Sequence, residues 1–132
     1  MYPMGDVETL ARTLWGEARG EGKEGMAAVA SVIMNRVKRG GWFGSSITKV
    51  CKKPLQFSCW NEGDPNCEKM LEVTEIDKQY TQALVIAEKA VAGTLPDPTG
   101  GATHYHEYKI LPKWAKSLKQ TTQIGNHIFY KE

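Results

Sequence analysis

Apolar residues recur at helical spacing in three stretches of the chain. Val7, Leu10, Ala11, Leu14 and Ala18 follow an i, i+3, i+4, i+7 pattern, with Asp6 placed to cap the helix and Gly20 and Gly22 to end it. A second helix is predicted from about Lys23 to Arg39, where Met26, Val29, Ala30, Ile33 and Val37 form one stripe and Lys38, Arg39 and Gly40-Gly41 supply stop signals. The periodicity then lapses. From Gly41 to about Val73 the chain is rich in Gly, Pro, Ser, Asn and Cys, which predicts a long ordered loop region with one short helical turn around Ser46 to Cys51. A third helix follows, capped by Thr74, with Ile76, Tyr80, Ala83, Leu84, Ala87 and Val91 facing inward and Gly93 as its stop.

Beyond the turn-prone run from Leu95 to Gly101 the period shortens to two, and Ala102 to Tyr108 reads as an extended strand. Pro112 to Lys116 suggests a helical turn. Thr121 to Tyr130 folds as a small hairpin about Gly125-Asn126, with Ile124, Ile128 and Phe129 available to pack. The fold class is therefore α+β and helix-rich, with a small β-hairpin region. No repeat, low-complexity tract or linker divides residues 1–132, so a single domain is expected.

A content of 41% hydrophobic and 24% charged residues excludes a disordered chain. The net charge of +2 is too small for the concentrated basic field of a nucleic-acid binder, though it suits an anionic polymer such as a cell wall. No run of about 18 apolar residues exists to span a bilayer, so no membrane partner is expected. The start, MYPMGDVETL, has neither a basic nor an apolar leader region; no signal peptide is expected, and an extracytoplasmic target would need another route of delivery. Cys51, Cys59 and Cys67 are evenly spaced and odd in number, which fits free thiols or one local disulfide better than zinc.

The densest chemistry lies in Leu14-Trp15-Gly16-Glu17-Ala18-Arg19-Gly20-Glu21. On a helix turning about 100° per residue, Glu17 falls at the edge of the apolar stripe. A carboxyl group there is partly desolvated, with Trp15 as a nearby apolar wall, and its pKa rises as a general acid for glycosidic cleavage requires. The alternative is a rim carboxylate paired with Arg12 or Arg19, beside glycines that merely end a helix. Periodicity by itself favours that alternative.

The run from Leu14 to Gly22, followed by Gly25-Met26-Ala27-Ala28-Val29-Ala30-Ser31-Val32-Ile33-Met34-Asn35-Arg36-Val37, resembles the catalytic domain of spore cortex-lytic enzymes and related cell wall hydrolases, phage and prophage lysins included. Gln56-Phe57-Ser58 with Trp60, Asp97 to Tyr105, and Ile124 to Phe129 keep the family's order, so the resemblance spans nearly the whole chain. It implies a lysozyme-like α+β fold that cuts the β-1,4 bond between N-acetylmuramic acid and N-acetylglucosamine in peptidoglycan, without a cofactor or metal and as a monomer. The family's catalytic glutamate falls on Glu17. In a lytic transglycosylase this one carboxyl serves as acid and then as base toward the muramoyl C6 hydroxyl; in a muramidase a second carboxylate, Glu21 or Asp97, would act on water.

Substrate contacts are expected from Glu21, Gln56, Phe57, Ser58, Trp60, His104 and Tyr105, although Phe57 also suits a core anchor. Trp42, Phe43 and Trp114 read as core or cleft wall. The segment from Cys51 to Cys67 departs from the family's core, and a bare catalytic domain without leader fits a phage or prophage endolysin that waits in the cytoplasm. Two rivals remain: a wall-binding module without an acid, and a zinc amidase or peptidase built on His104, His106 and His127.

Overall fold

The structure is a computed structural model that describes residues 4–54 and 56–132. Among the described residues five helices, α1 (Asp6–Ala18), α2 (Gly22–Arg39), α3 (Ile47–Lys52), α4 (Pro65–Glu72) and α5 (Lys78–Ala92), precede three strands, β1 (His104–Glu107), β2 (Lys119–Ile124) and β3 (His127–Lys131). Short 3-10 turns lie at Arg19–Glu21, Gly41–Phe43, Ser58–Trp60 and Lys113–Ser117.

Helix α1 is central. Its predicted stripe is buried at Leu10, Ala11, Leu14 and Ala18, and Thr9, Thr13 and Trp15 are buried as well, because α2, α3, α4 and α5 all pack around it. Asp6 is the first helical residue rather than the cap, which is Gly5; the Asp6 carboxylate accepts from the Thr48 hydroxyl at 3.2 Å and lies at the positive end of the helix. Helix α2 buries the expected Met26, Val29, Ala30 and Ile33 against α1 and α5. It has a second buried stripe, Ala28 and Val32, that meets Phe129 and Ala102 and so joins the helices to the sheet.

The long segment after α2 is more helical than its composition suggests. Helix α4 falls where only loop is expected: Asp64 caps it, accepting from Asn66 N at 2.8 Å, and Pro65 takes the first turn. Met70 is its one buried residue, so it carries no stripe to betray it. The following helix starts later than expected. Asp77, not Thr74, caps α5 by accepting from Tyr80 N at 3.0 Å, and Ile76 lies outside the helix, 93% exposed. Gly93 ends α5 in the left-handed conformation, φ 78°, as expected of a C-terminal glycine.

The strands form one antiparallel sheet in the order β1-β3-β2. The register pairs Tyr105 with Phe129 and Glu107 with His127, and His104 with Tyr130 and His106 with Ile128. Side chains alternate between the faces of a sheet, so Tyr105, His127 and Phe129 face the helices while His104, His106 and Tyr130 face away, under Trp114. Arg36, buried, ties these parts together: its guanidinium lies 5.3 Å from the Phe43 ring and 5.4 Å from the Phe57 ring, and its Nε donates to the Thr103 carbonyl at 2.7 Å.

The turn Ser58–Trp60 presses directly on α1. Trp60 Nε1 donates to the Thr13 hydroxyl at 2.8 Å, and that hydroxyl donates to the Thr9 carbonyl at 2.8 Å. At Gly16 a Cβ would stand 2.6 Å from Cys59 Cβ and 2.9 Å from its Sγ, closer than packed atoms tolerate. Gly16→Ala is therefore expected to lose about 1–3 kcal/mol of stability in urea unfolding, as overpacking does. Gly20→Ala, where nothing lies within 4 Å, serves as the control and should change stability by no more than about 0.5 kcal/mol.

Candidate active site

Glu17 lies in the last turn of α1, one residue beyond Gly16, with its side chain half-buried beneath the Ser58–Trp60 turn. Desolvation by burial raises its pKa, and the negative charge of Asp64 pushes in the same direction; the Cys59 thiol and backbone oppose this by hydrogen bonding to the carboxylate. Arg12 pairs with Glu8 at 3.0 Å and donates to the carbonyls of Met70 and Val73. Arg19 donates to the Trp15 carbonyl and the Asn66 side chain. Among the described residues no cation pairs with Glu17, so the rim ion pair that periodicity favours does not form.

The wall that desolvates Glu17 differs from the expected one. Trp15, two residues away and so on the far side of the helix, directs its Nε1 to Asp77 at 3.3 Å and lies under Arg19. Glu17 instead meets Cys59 and comes near Tyr105, whose hydroxyl pKa is raised by burial and then by the Glu17 charge. Tyr105 therefore keeps its proton and can donate it. Its ring packs at 5.0 Å from His127 and 5.6 Å from Phe129.

Glu21 is placed close by but already engaged. Its two oxygens accept from the backbone and side-chain amides of Asn126 at 3.0 and 3.2 Å, and Oε1 lies 3.6 Å from His127 Nδ1, so it clamps the β2–β3 turn to the start of α2. Gly25 has no Cβ because the Glu21 side chain occupies that space. Asp97 is also committed. Burial would raise its pKa, but hydrogen bonds from Thr99, Asn35 and Gly101 bring it below the ordinary carboxylate value, and they fold the loop before β1. Both carboxylates are thus held in the fold by hydrogen bonds.

The remaining expected contacts divide. Ser58 is exposed and Gln56 and Trp60 are half-buried on the segment that covers Glu17. Trp60 holds Thr13 by its indole and has Lys52 Nζ 4.8 Å from its ring centroid. Phe57, 2% exposed, belongs to the core and cannot touch a sugar. His104 is corrected too: strand alternation turns it to the opposite face from Tyr105, against Phe43 and Trp114.

The same register undoes the histidine cluster, because His127 lies on the other face of the sheet from His104 and His106. His106 has both nitrogens occupied, by the Glu107 carbonyl at 2.7 Å and the Tyr130 hydroxyl at 2.9 Å. Among the described residues no three His, Cys, Asp or Glu side chains gather where they could hold a metal ion. The cysteines are all free, and burial pushes the Cys51 thiol up to about 12. Cys59 is the neighbour that sequence reasoning missed; the glycine immediately before Glu17 was its only trace.

Comparison with known proteins places this geometry. A family model described as Cell Wall Hydrolase matches residues 20–130. The spore cortex-lytic enzyme of Halalkalibacterium halodurans is 33% identical over 97% of this chain and 35% of its own length. The chain spans between about a third and a half of the curated relatives it matches, from 35% to 46%. Two solved structures share the fold at 30% identity. The catalytic domain of the germination-specific lytic transglycosylase SleB from Bacillus anthracis aligns with TM-score 0.75 over 98% of this chain and 97% of that one. The catalytic domain of the Bacillus cereus SleB protein aligns with TM-score 0.76 over 99% and 93%. With its helix-rich, lysozyme-like α+β fold, the chain belongs to the cell wall hydrolase family.

Proposed function

We propose that this domain cleaves the glycan strand of peptidoglycan between N-acetylmuramic acid and N-acetylglucosamine, as a lytic transglycosylase with Glu17 as its single acid and base. The observation that carries the reading is a half-buried carboxyl group with no cationic partner among the described residues, whose pKa desolvation by burial raises. Glu17 gives its proton to the glycosidic oxygen as the bond to C1 breaks. The resulting carboxylate takes the proton of the muramoyl C6 hydroxyl while that oxygen bonds to C1, giving a 1,6-anhydro sugar without consuming water. The protonated Tyr105 supplies a hydrogen bond to the reacting sugar, and Gln56, Ser58 and Trp60 hold hydroxyl groups and a pyranose face. Glu21 acts indirectly, by fixing the hairpin that carries His127 behind Tyr105. All of these groups come from one chain, which suits a monomer.

The transglycosylase reading is favoured over a muramidase because Glu21 and Asp97 already spend their oxygens on the fold. The Bacillus anthracis neighbour is itself named a lytic transglycosylase. The Halalkalibacterium halodurans relative is named a spore cortex-lytic enzyme, which favours a wall substrate and adds nothing to a lysin that waits in the cytoplasm. No helix among the described residues is long and apolar enough to cross a membrane.

Glu17→Gln should abolish clearing of purified sacculi while binding persists; undiminished clearing would falsify the assignment. Products analysed by mass should be lighter by one water than the hydrolysed disaccharide-peptide, retain their stem peptides, and form equally in the presence of a chelator. A product of full hydrolysed mass selects the muramidase, and newly released amino groups select the amidase.

The same carboxyl sets two pH dependences. Since its folded pKa lies above the ordinary glutamate value of 4.5, cleavage that needs the acid form should fall as pH rises through that displaced value rather than at 4.5. The folded chain also holds this proton more tightly than the unfolded one, so stability declines as pH rises across the window between the two pKa values. Glu17→Gln lacks that decline. Its advantage in melting temperature over the parent should be absent below pH 4.5 and grow above it, and a constant difference across that window would contradict the burial of Glu17.

A further inference from the structure

On the sheet face turned away from Tyr105, a cavity of about 440 Å³ opens between the end of α2 and the Lys113–Ser117 turn. Its walls include Arg39, Trp42, Phe43, His104, Trp114 and Glu132, and it shares no residue with the surroundings of Glu17. Trp42, expected in the core or a cleft wall, lies in this cleft wall and is 65% exposed. Phe43 meets it edge-on at 5.6 Å, and Lys53 Nζ lies 4.4 Å from its ring centroid. Trp42 also borders a neighbouring depression that is lined by Lys49, Lys52 and Lys53. The indole thus stands as a ridge between an aromatic hollow and a basic one.

The chemistry of the two hollows identifies what fits them. A pyranose presents an apolar C–H face to stack on an indole and a rim of hydroxyl and N-acetyl groups that need partners. The cavity offers such partners. His104 Nδ1 is taken by the Thr103 hydroxyl at 3.0 Å, while its Nε2 has no hydrogen-bond partner among the described residues. Arg39 and Glu132 pair at only 3.5 Å, with 57% and 36% of their side-chain surface exposed, so both can turn to a ligand. The volume lies in the range of small-ligand sites. Of the three lysines on the other side of Trp42, Lys52 lies over Trp60, and Lys49 and Lys53 suit carboxylates carried on the same ligand.

We propose that the Trp42 ridge is a second peptidoglycan-binding site, which takes an N-acetylated aminosugar in the aromatic cavity and the carboxylates of its stem peptide on Lys49 and Lys53. The site keeps the enzyme on the wall while Glu17, on a different face, cuts. It rests on the wall substrate proposed above but not on the identity of the catalytic acid.

Trp42→Ala removes an exposed side chain and should leave the circular dichroism spectrum unchanged. In the Glu17→Gln background, which keeps sacculi intact, it is expected to weaken sedimentation with purified sacculi by about fivefold to tenfold, the worth of one aromatic stacking contact. In the otherwise unaltered chain it should leave turnover of short soluble glycan fragments as it was. Chitotetraose, which lacks stems, should shift the indole NMR signals of Trp42 and Trp114. Replacing Lys49 and Lys53 with Ala should weaken a stem-bearing disaccharide-peptide and spare chitotetraose. Unchanged sedimentation, loss of soluble turnover in proportion to binding, or equal lysine effects on both ligands would overturn the proposal. A failure of the Glu17 assignment would appear instead as sacculi cleared by the Glu17→Gln chain, and would leave the chitotetraose and disaccharide-peptide comparisons readable.

Discussion

The structure turns on one close approach, that of the Ser58–Trp60 turn to the last turns of α1. A glycine at position 16 lets Cys59 descend onto the helix, and the Trp60–Thr13 hydrogen bond holds it there. That contact covers Glu17, and no described residue gives it a counter-ion. A carboxyl so placed prefers its proton, since burial without a cation penalises the charged form. Were Gly16 any larger residue, the turn would stand off and water would reach the acid.

The compact motif around Glu17 can then be understood residue by residue. Ala18 packs into the core beside it, and Arg19 lies on Trp15 and reaches Asn66, fastening α4 to α1. Gly22, at φ 73°, permits the sharp reversal into α2. Glu21 then crosses above Gly25 to grip Asn126, so the same short segment that carries the acid also fixes the hairpin. Through His127 and Tyr105 the sheet closes the other side of the site. The helices supply the acid and the strands supply its opposing wall.

Periodicity made α1, α2 and the body of α5 legible because each buries a continuous stripe. It failed at α4, whose single buried side chain, Met70, leaves no pattern; the unread signal there is Asp64-Pro65, a capping residue followed by a first-turn proline. It also failed at Thr74 and Ile76, where Asp77 caps better and the apolar residue stays in solvent. Within the site, the position of Glu17 at the edge of the stripe could be read from helical geometry. Its covering could not, because Cys59 is distant in sequence and Trp15 turns away. Strand alternation decided between Tyr105 and His104, but which of the two faced the helices depended on Phe129 packing against α2.

The proposed catalysis depends on the fold withdrawing the Glu17 carboxyl from water with no cation beside it among the described residues. Titration of that one carboxyl, followed by carbon-13 NMR in the whole chain, measures this directly. A midpoint above the ordinary glutamate value of 4.5 is expected. A midpoint at or below that value would mean a solvated or ion-paired carboxylate, and the structure would then hold no acid at this position.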